Sequence, residues 1–169
     1  MYELEEKSKI IDGYKLKSKG VFNFEELYTE MAKWFKHYDY NWKEIEYKKI
    51  DNQDNTQTVE IRWECPKEID NYVSILTEIF LKATDLSNVE VTVGNEKKMM
   101  NKGSVELKFT TTMIKNINIW TNKPFGKAAG LIYDKILIKD RLTYYEDEIF
   151  NESQKLIAEI KEYLQIYAR

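Results

Sequence analysis

The side chains that most often carry out catalysis are scarce in this sequence. His37 is the only histidine and Cys65 is the only cysteine among 169 residues. A histidine-based triad needs a nucleophile and an acid nearby, and the sequence has no G-x-S-x-G motif. His37 lies at the end of a predicted helix, where a cation suits the helix dipole. Because a reactive thiolate needs basic neighbours and Glu64 is adjacent, we interpret Cys65 as a small buried apolar residue.

Two stretches of oxygen-bearing side chains lack parts that metal or acid-base chemistry requires. Residues 51–55 (D-x-Q-x-N) are similar to the start of a calcium loop, but Thr56 replaces the required glycine and Arg62 the closing glutamate. The carboxylates Glu146 to Glu148 have no second cluster such as E-x-x-H. P-loop, Rossmann, HExxH and kinase motifs are also absent from the sequence. We therefore expect neither an enzyme nor a bound metal or cofactor.

A group of three lysines could contact an anionic partner. Lys97, Lys98 and Lys102 fall in a stretch between two predicted strands. The net charge is −3, so no overall field would attract nucleic acid or an anionic membrane. We expect nucleic acid not to be a partner. We interpret the three lysines as the tip of a hairpin, which either contacts phosphates or an acidic partner or only keeps the surface soluble.

The segment 124–138 is unusually apolar for this chain. Gly126 and Gly130 are four residues apart, so they lie on one face of a predicted helix, where small residues let another backbone approach. Three interpretations are open, ranked in this order: burial under the sheet, contact with another copy, and a helix in a membrane interface. Asp134 and the few lysines weigh against the membrane surface. The candidate interface residues are Phe125, Gly126, Gly130, Leu131 and Leu137.

Composition and length are typical of one globular domain. The sequence is 33% charged and 43% hydrophobic. We predict a single domain over 1–169, with a strand-rich part (1–122) that contains one helix and a helical part (123–169). No window reaches the ~20 apolar residues of a membrane-spanning helix. The acidic start does not fit a signal peptide, and a lone cysteine fits a reducing compartment, so we expect a cytoplasmic location.

The hydrophobic pattern predicts the elements of the first half. A short strand at 14–19 precedes a helix capped by Asn23, with Phe22 and Leu27 as a hydrophobic staple. This helix should end within 37–40. Residues 42–50 and 57–65 alternate as a hairpin, and Pro66 should end its second strand.

The second half contains two further strands and a helical end. Segment 72–83 fits both a strand and a helix, and its β-branched residues favour a strand. Residues 89–93 and 105–113 alternate as a strand pair joined by a connection at 94–103. Two helices follow, with Pro124 in the first helical turn and a break within 139–143. The predicted fold class is α+β, with a single antiparallel sheet of five to six strands packed against an N-terminal helix and a long C-terminal helical segment.

Parts of this pattern resemble known proteins. The pattern V-E-V-T-V-G at 89–94, K-K at 97–98, K-G at 102–103 and V-E-L-K at 105–108 resembles small archaeal proteins of no assigned function. In those proteins a similar hairpin precedes a segment like Asn118 to Trp120 and a helical tail. This resemblance implies an archaeal source, cellular or viral, and implies no activity. The element order is also similar to helix-grip (START-like) domains, in which a long C-terminal helix closes a pocket.

The sequence does not identify a reaction, and two function classes remain. The favoured hypothesis is a non-enzymatic binding or self-assembly module that forms homo-oligomers. The alternative is a helix-grip-type carrier of a hydrophobic small ligand. A carrier would be a monomer with an internal cavity of several hundred Å³, whereas an assembly module would have a filled interior and would associate. The pocket of the carrier would be lined by Trp63, Cys65, Phe109 and Met113.

Overall fold

A single five-stranded antiparallel sheet organises the chain. The computed structural model describes residues 5–117 and 123–167. The spatial order of the strands is β1-β5-β4-β3-β2. The predicted fold class is confirmed, with five strands rather than six. In chain order the elements are β1 (Glu5–Phe22), α1 (Phe24–His37), β2 (Lys43–Asp51), β3 (Gln57–Glu68), β4 (Val73–Val93), β5 (Glu96–Asn116), α2 (Gly126–Ile132), a π-helical turn (Tyr133–Leu137) and α3 (Lys139–Tyr167).

β4 and β5 form a hairpin of two 21-residue strands. Its turn consists of Gly94 and Asn95 alone, with Gly94 at φ +64°, because a turn this tight needs left-handed backbone angles. The predicted connection over 94–103 is therefore wrong, since residues 96–103 continue β5. Residues 96–99 of β5 are exposed on both faces, so the alternating pattern that marks a strand is absent from this part of β5. Segment 72–83 is a strand, as predicted, and is continuous with 88–93.

β1 is much longer than the predicted strand at 14–19. Register shifts in its pairing with β5 fall between Lys9 and Ile11 and between Ile11 and Tyr14. Gly13 lies in the second shift at φ +65°. Each bulge adds one residue to β1 and so shifts the alternation of apolar and polar residues by one position. The alternating pattern therefore does not reveal residues 5–13 as part of the strand.

Helix α1 has the predicted boundaries and cap. The Glu26 N–H donates to Asn23 Oδ1 at 3.1 Å, which caps the helix. Phe22 and Leu27 are both buried, as a hydrophobic staple requires. Asp39, at φ +61°, follows the C-terminus.

Pro66 lies inside β3 rather than ending it. It pairs with Leu76 of β4 in the sheet register. Its carbonyl accepts the Asn41 N–H at 2.8 Å on the opposite side of the strand. The Pro66 nitrogen points to that same side, beyond the end of β2, so no ladder hydrogen bond is lost.

The C-terminal helices begin and break close to the predicted positions. α2 begins at Gly126, so Pro124 precedes the helix instead of occupying its first turn. The Ile138 N–H donates to the Tyr133 carbonyl at 3.0 Å and closes the π-helical turn. The break between the two helices therefore lies at Ile138, just before the predicted 139–143.

The core lies on one face of the sheet. Phe109, Leu107 and Trp63 are almost fully buried there beneath α1 and α3. Alternate residues of the same strands, such as Arg62 and Lys108, are exposed. This second side is called the outer face below, and no described residue on it between Glu60 and Glu64 or between Ser104 and Thr110 is buried.

Gly103 provides a test of this strand pairing. It lies opposite a bulge in β4, and an added Cβ would be 2.7 Å from the Thr84 carbonyl oxygen. The β4 backbone at Thr84 cannot move away without a cost in free energy. Gly103→Ala should therefore lower the free energy of unfolding by about 1–3 kcal/mol, as measured in urea titrations. Gly94→Asn is the control, because its Cβ meets no atom within 4 Å and asparagine tolerates positive φ. Equal losses in the two variants would contradict the close packing at Gly103.

Candidate functional site: an exposed apolar surface

The residues first considered for catalysis occupy ordinary structural positions. His37 is exposed at the end of α1, and its ring lies against Tyr38 with centroids 5.1 Å apart. Cys65 is fully buried, and this burial raises the pKa of its thiol to about 12. Glu148 accepts a hydrogen bond from Tyr144 Oη at 2.6 Å on α3. Across residues 5–117 and 123–167, no group of three or more His, Cys, Asp or Glu side chains could hold a metal ion.

The candidate pocket residues lie together in the packed core rather than around a pocket. Trp63, Cys65, Phe109 and Met113 are each at most 2% exposed. The cavity beneath α3 measures about 10 Å³, which is room for one water molecule at most. Hydroxyl groups cross this space: Thr77 and Thr111 hydrogen-bond at 3.3 Å, as do Thr111 and Ser153. A hydrophobic ligand of ordinary size would need several hundred Å³.

The three lysines of the predicted connection belong to strand β5. Lys97 pairs with Glu90 of β4 at 2.9 Å across the hairpin. Lys98 and Lys102 are exposed, and Lys102 lies opposite Val21 of β1. The three lysines are therefore spread along a strand and do not form one tip.

The predicted burial of segment 124–138 is wrong for most of its apolar side chains. Five large side chains in this segment point to solvent, with exposed fractions from 53% to 87%. Gly126 is buried and Gly130 is half-buried, so only the glycine side approaches the rest of the protein. We call the following five residues the apolar surface: Phe125, Leu131, Ile132, Ile136 and Leu137.

A buried ion pair sets this orientation. Lys115 Nζ on β5 donates to Asp134 Oδ2 at 2.8 Å and also pairs with Glu6 at 3.0 Å. Tyr72 Oη donates to the other Asp134 oxygen at 2.7 Å. Burial favours the neutral amine, but the hydrogen bonds to Asp134 and Glu6 outweigh it and raise the pKa of Lys115. Since Asp134 must face Lys115, the apolar residues on either side of Asp134 must face outward.

Charges around the apolar surface are arranged in two blocks. Lys123, Lys127, Lys135 and Lys139 are all exposed, whereas Asp134, the acid between them, is turned inward. The first turns of α3 have an excess of acidic residues: Asp140, Asp147 and Glu148 are exposed, as is one further cation, Arg141, which lies 3.8 Å from Asp70. A basic block and an acidic block thus lie next to each other along the chain.

Sequence reasoning missed Lys115 and misjudged Asp134. Lys115 ends an alternating strand, where a lysine is ordinarily solvated, and only its partner explains its 9% exposure. From the sequence, Asp134 counts only against a membrane-interface helix, because it is a charge within an apolar run. A lone acid in such a run can instead mark the face that turns inward toward a cation.

No helix among the described residues is long and apolar enough to cross a membrane. Comparisons of this chain with protein-family models, curated proteins and solved structures found no match. The resemblances to archaeal proteins and to helix-grip domains stay predictions, and the Asn118–Trp120 part of the first lies outside the described residues.

The ion pair yields a stability prediction. Asp134→Ala should lower the free energy of unfolding by about 1–3 kcal/mol, because it leaves a buried ammonium with one fewer partner. Urea unfolding followed by circular dichroism would measure the change. Asp140→Ala removes a nearby exposed carboxylate and should change stability by about 0.5 kcal/mol or less. A similarly small effect of Asp134→Ala would show that the pair does not anchor α2.

Proposed function

We propose that this protein is a non-enzymatic binding module that self-associates through the apolar surface. The observation that carries the proposal is the exposure of Phe125, Leu131, Ile132, Ile136 and Leu137 on one short helical stretch. Single exposed apolar residues are common, but a cluster of this kind marks an interaction site. Burying these side chains in a partner would remove apolar area from water, which is the main driving force of association.

A second copy of the chain is the occupant that the charges favour. In a two-fold dimer the same surface is used by both copies, and it must be complementary to itself. A two-fold arrangement that brings Lys127 and Lys135 of one copy beside the exposed acids of α3 on its partner, such as Asp147 and Glu148, would meet this requirement. Opposite charges at the rim would then fix the register, while the apolar residues supply the contact. An anionic membrane would attract the lysines but repel the acidic block on α3.

The interior gives no support to the carrier alternative, because a cavity of about 10 Å³ cannot hold a lipid-sized ligand. A cytoplasmic location is part of the proposal. It is supported by Cys65, whose burial makes it inert and which has no second cysteine to pair with.

Size measurements on a pair of matched variants test the proposal. Wild-type protein should sediment as a dimer or larger species, and Leu131→Ser/Leu137→Ser should shift it to the monomer. The double variant should stay folded, since both side chains are at least 58% exposed. Ile45→Ser/Val93→Ser is the control, because it removes two exposed apolar side chains elsewhere and should leave the size unchanged.

Three outcomes would contradict the proposal. The wild type could be a monomer at high concentration, the control variant could dissociate as readily as the Leu131/Leu137 variant, or the Leu131/Leu137 variant could keep its size. A monomer that binds vesicles of anionic lipid, and loses this binding with Leu131→Ser/Leu137→Ser, would assign the apolar surface to a membrane instead.

A further inference from the structure

One half of the outer face carries a concentration of positive charge that the net charge of −3 conceals. Directly paired residues of neighbouring strands share a face, so the sheet register identifies the side chains that lie together. Lys15 lies opposite Lys108, followed across the sheet by Phe80 and Arg62. We call the following seven residues the basic strip: Lys15, Lys17, Lys19, Arg62, Lys82, Lys102 and Lys108.

Neighbouring carboxylates neutralise only part of the charge of the basic strip. Lys17 pairs with Glu106 at 3.0 Å, and Lys82 pairs with Glu60 at 2.8 Å. The remaining five cations form no ion pair within residues 5–117 and 123–167; they are Lys15, Lys19, Arg62, Lys102 and Lys108. Of these five, Arg62 lies opposite Glu46 in the register of β2 and β3, so its charge is partly offset.

The arrangement is unfavourable for the free protein. Like charges directly opposite each other on two strands destabilise a sheet, and Lys15 and Lys108 occupy such positions. The Lys108 stem also passes close to Gly13, where an added Cβ would be 3.0 Å from Lys108 Cε. An anionic ligand would remove this repulsion, so the strip suits a bound polyanion.

An aromatic ring lies within the same row of side chains. Phe80 is half-buried, and in the sheet register it lies opposite Lys108 of β5 on one side and Arg62 of β3 on the other. Beside this row, Lys17, Lys19 and Lys82 line a shallow depression of about 430 Å³. Thr84 and Ser104 supply hydroxyl groups there, and the carboxylate of Glu106, which pairs with Lys17, is also part of the lining. Ammonium, guanidinium and hydroxyl groups are the donors that bind phosphate oxygens.

The other half of the outer face, which carries Lys7, Lys9 and Lys43, has an acidic residue beside each of these lysines. Lys7 pairs with Glu5 at 3.4 Å, and Lys9 pairs with Asp12 at 2.7 Å. Lys43 lies opposite Glu64 in the register of β2 and β3. Positive charge there is balanced, so attraction for an anion would be confined to the basic strip.

We infer that the basic strip binds single-stranded nucleic acid. An open sheet that joins unpaired cations to an aromatic ring offers both contacts a single strand uses, with phosphates on the cations and a base stacked on the ring. A duplex would keep its bases away from Phe80, and an acidic protein or an anionic membrane has no base to stack on the ring. The inference is independent of self-association, because the strip and the apolar surface lie on opposite sides of the sheet.

Fluorescence anisotropy with labelled 12-nucleotide oligothymidylate and oligouridylate tests this inference, and the two probes separate DNA from RNA. Binding at low salt should weaken as salt rises, with a slope of log affinity against log salt of about −3.5 if all five unpaired cations contact phosphates. Lys15→Gln/Arg62→Gln/Lys108→Gln should weaken binding at least tenfold and reduce the slope to about −1.4. Phe80→Leu keeps an apolar side chain but removes the stacking ring, and should weaken binding roughly fivefold or more.

The matched control is Lys7→Gln/Lys9→Gln/Lys43→Gln, which removes the same charge from the other half of the outer face. Its affinity should stay within about twofold of the wild type, since its cations contact no phosphate in this arrangement. Equal losses in the two triple variants would reveal non-specific attraction and overturn the inference. An absence of oligonucleotide binding at low salt, with or without binding to anionic vesicles, would also overturn it. Unchanged affinity in Phe80→Leu would contradict the stacking that distinguishes a single strand from other polyanions.

Discussion

A single sheet with one dry face is the constraint on which the rest of this structure depends. Strand residues alternate between faces, so burying Leu107 and Phe109 beneath α1 and α3 leaves Lys108 and its neighbours on the outer face exposed to solvent. The two long helices, α1 and α3, both pack on the dry face. Among the described residues no helix or second sheet covers the outer face. The outer face and the short helical stretch before α3 are therefore two places where the molecule can meet a partner, and the two proposals concern them.

The two surfaces are compatible in one assembly. Lys115 faces the helical side of the sheet and holds Asp134 there, so α2 and the apolar surface lie on that side. The basic strip lies on the opposite side. Self-association through α2 would leave the strip of each copy accessible and would present two strips on one particle. Binding at two linked sites strengthens attachment to a long polymer without any new contact, because the second binding event becomes intramolecular.

Much of the fold could be predicted from local chemistry, and the errors have physical causes. Asn23, Phe22 and Leu27 define the start of α1 because capping depends on neighbours in sequence. The bulge at Gly13 and the exposed residues 96–99 of β5 break the alternating pattern, so the predicted β1 and β5 are too short. The direction in which α2 faces depends on Lys115, which is 19 residues from Asp134 in the chain. Likewise, the basic strip gathers residues of four strands, so only the sheet register reveals it.

The most direct test of the central claim is the distance between two copies of the apolar surface. Cys65 is buried and is the only cysteine, so a spin label attached to Ile136→Cys would report on that position alone. Pulsed electron resonance should detect a short distance between labels of two copies at position 136. Labels attached to Val93→Cys, at the far end of the β4–β5 hairpin, should give a longer distance. The absence of any dipolar coupling at position 136 in concentrated protein, or a shorter distance at position 93, would contradict self-association through this surface.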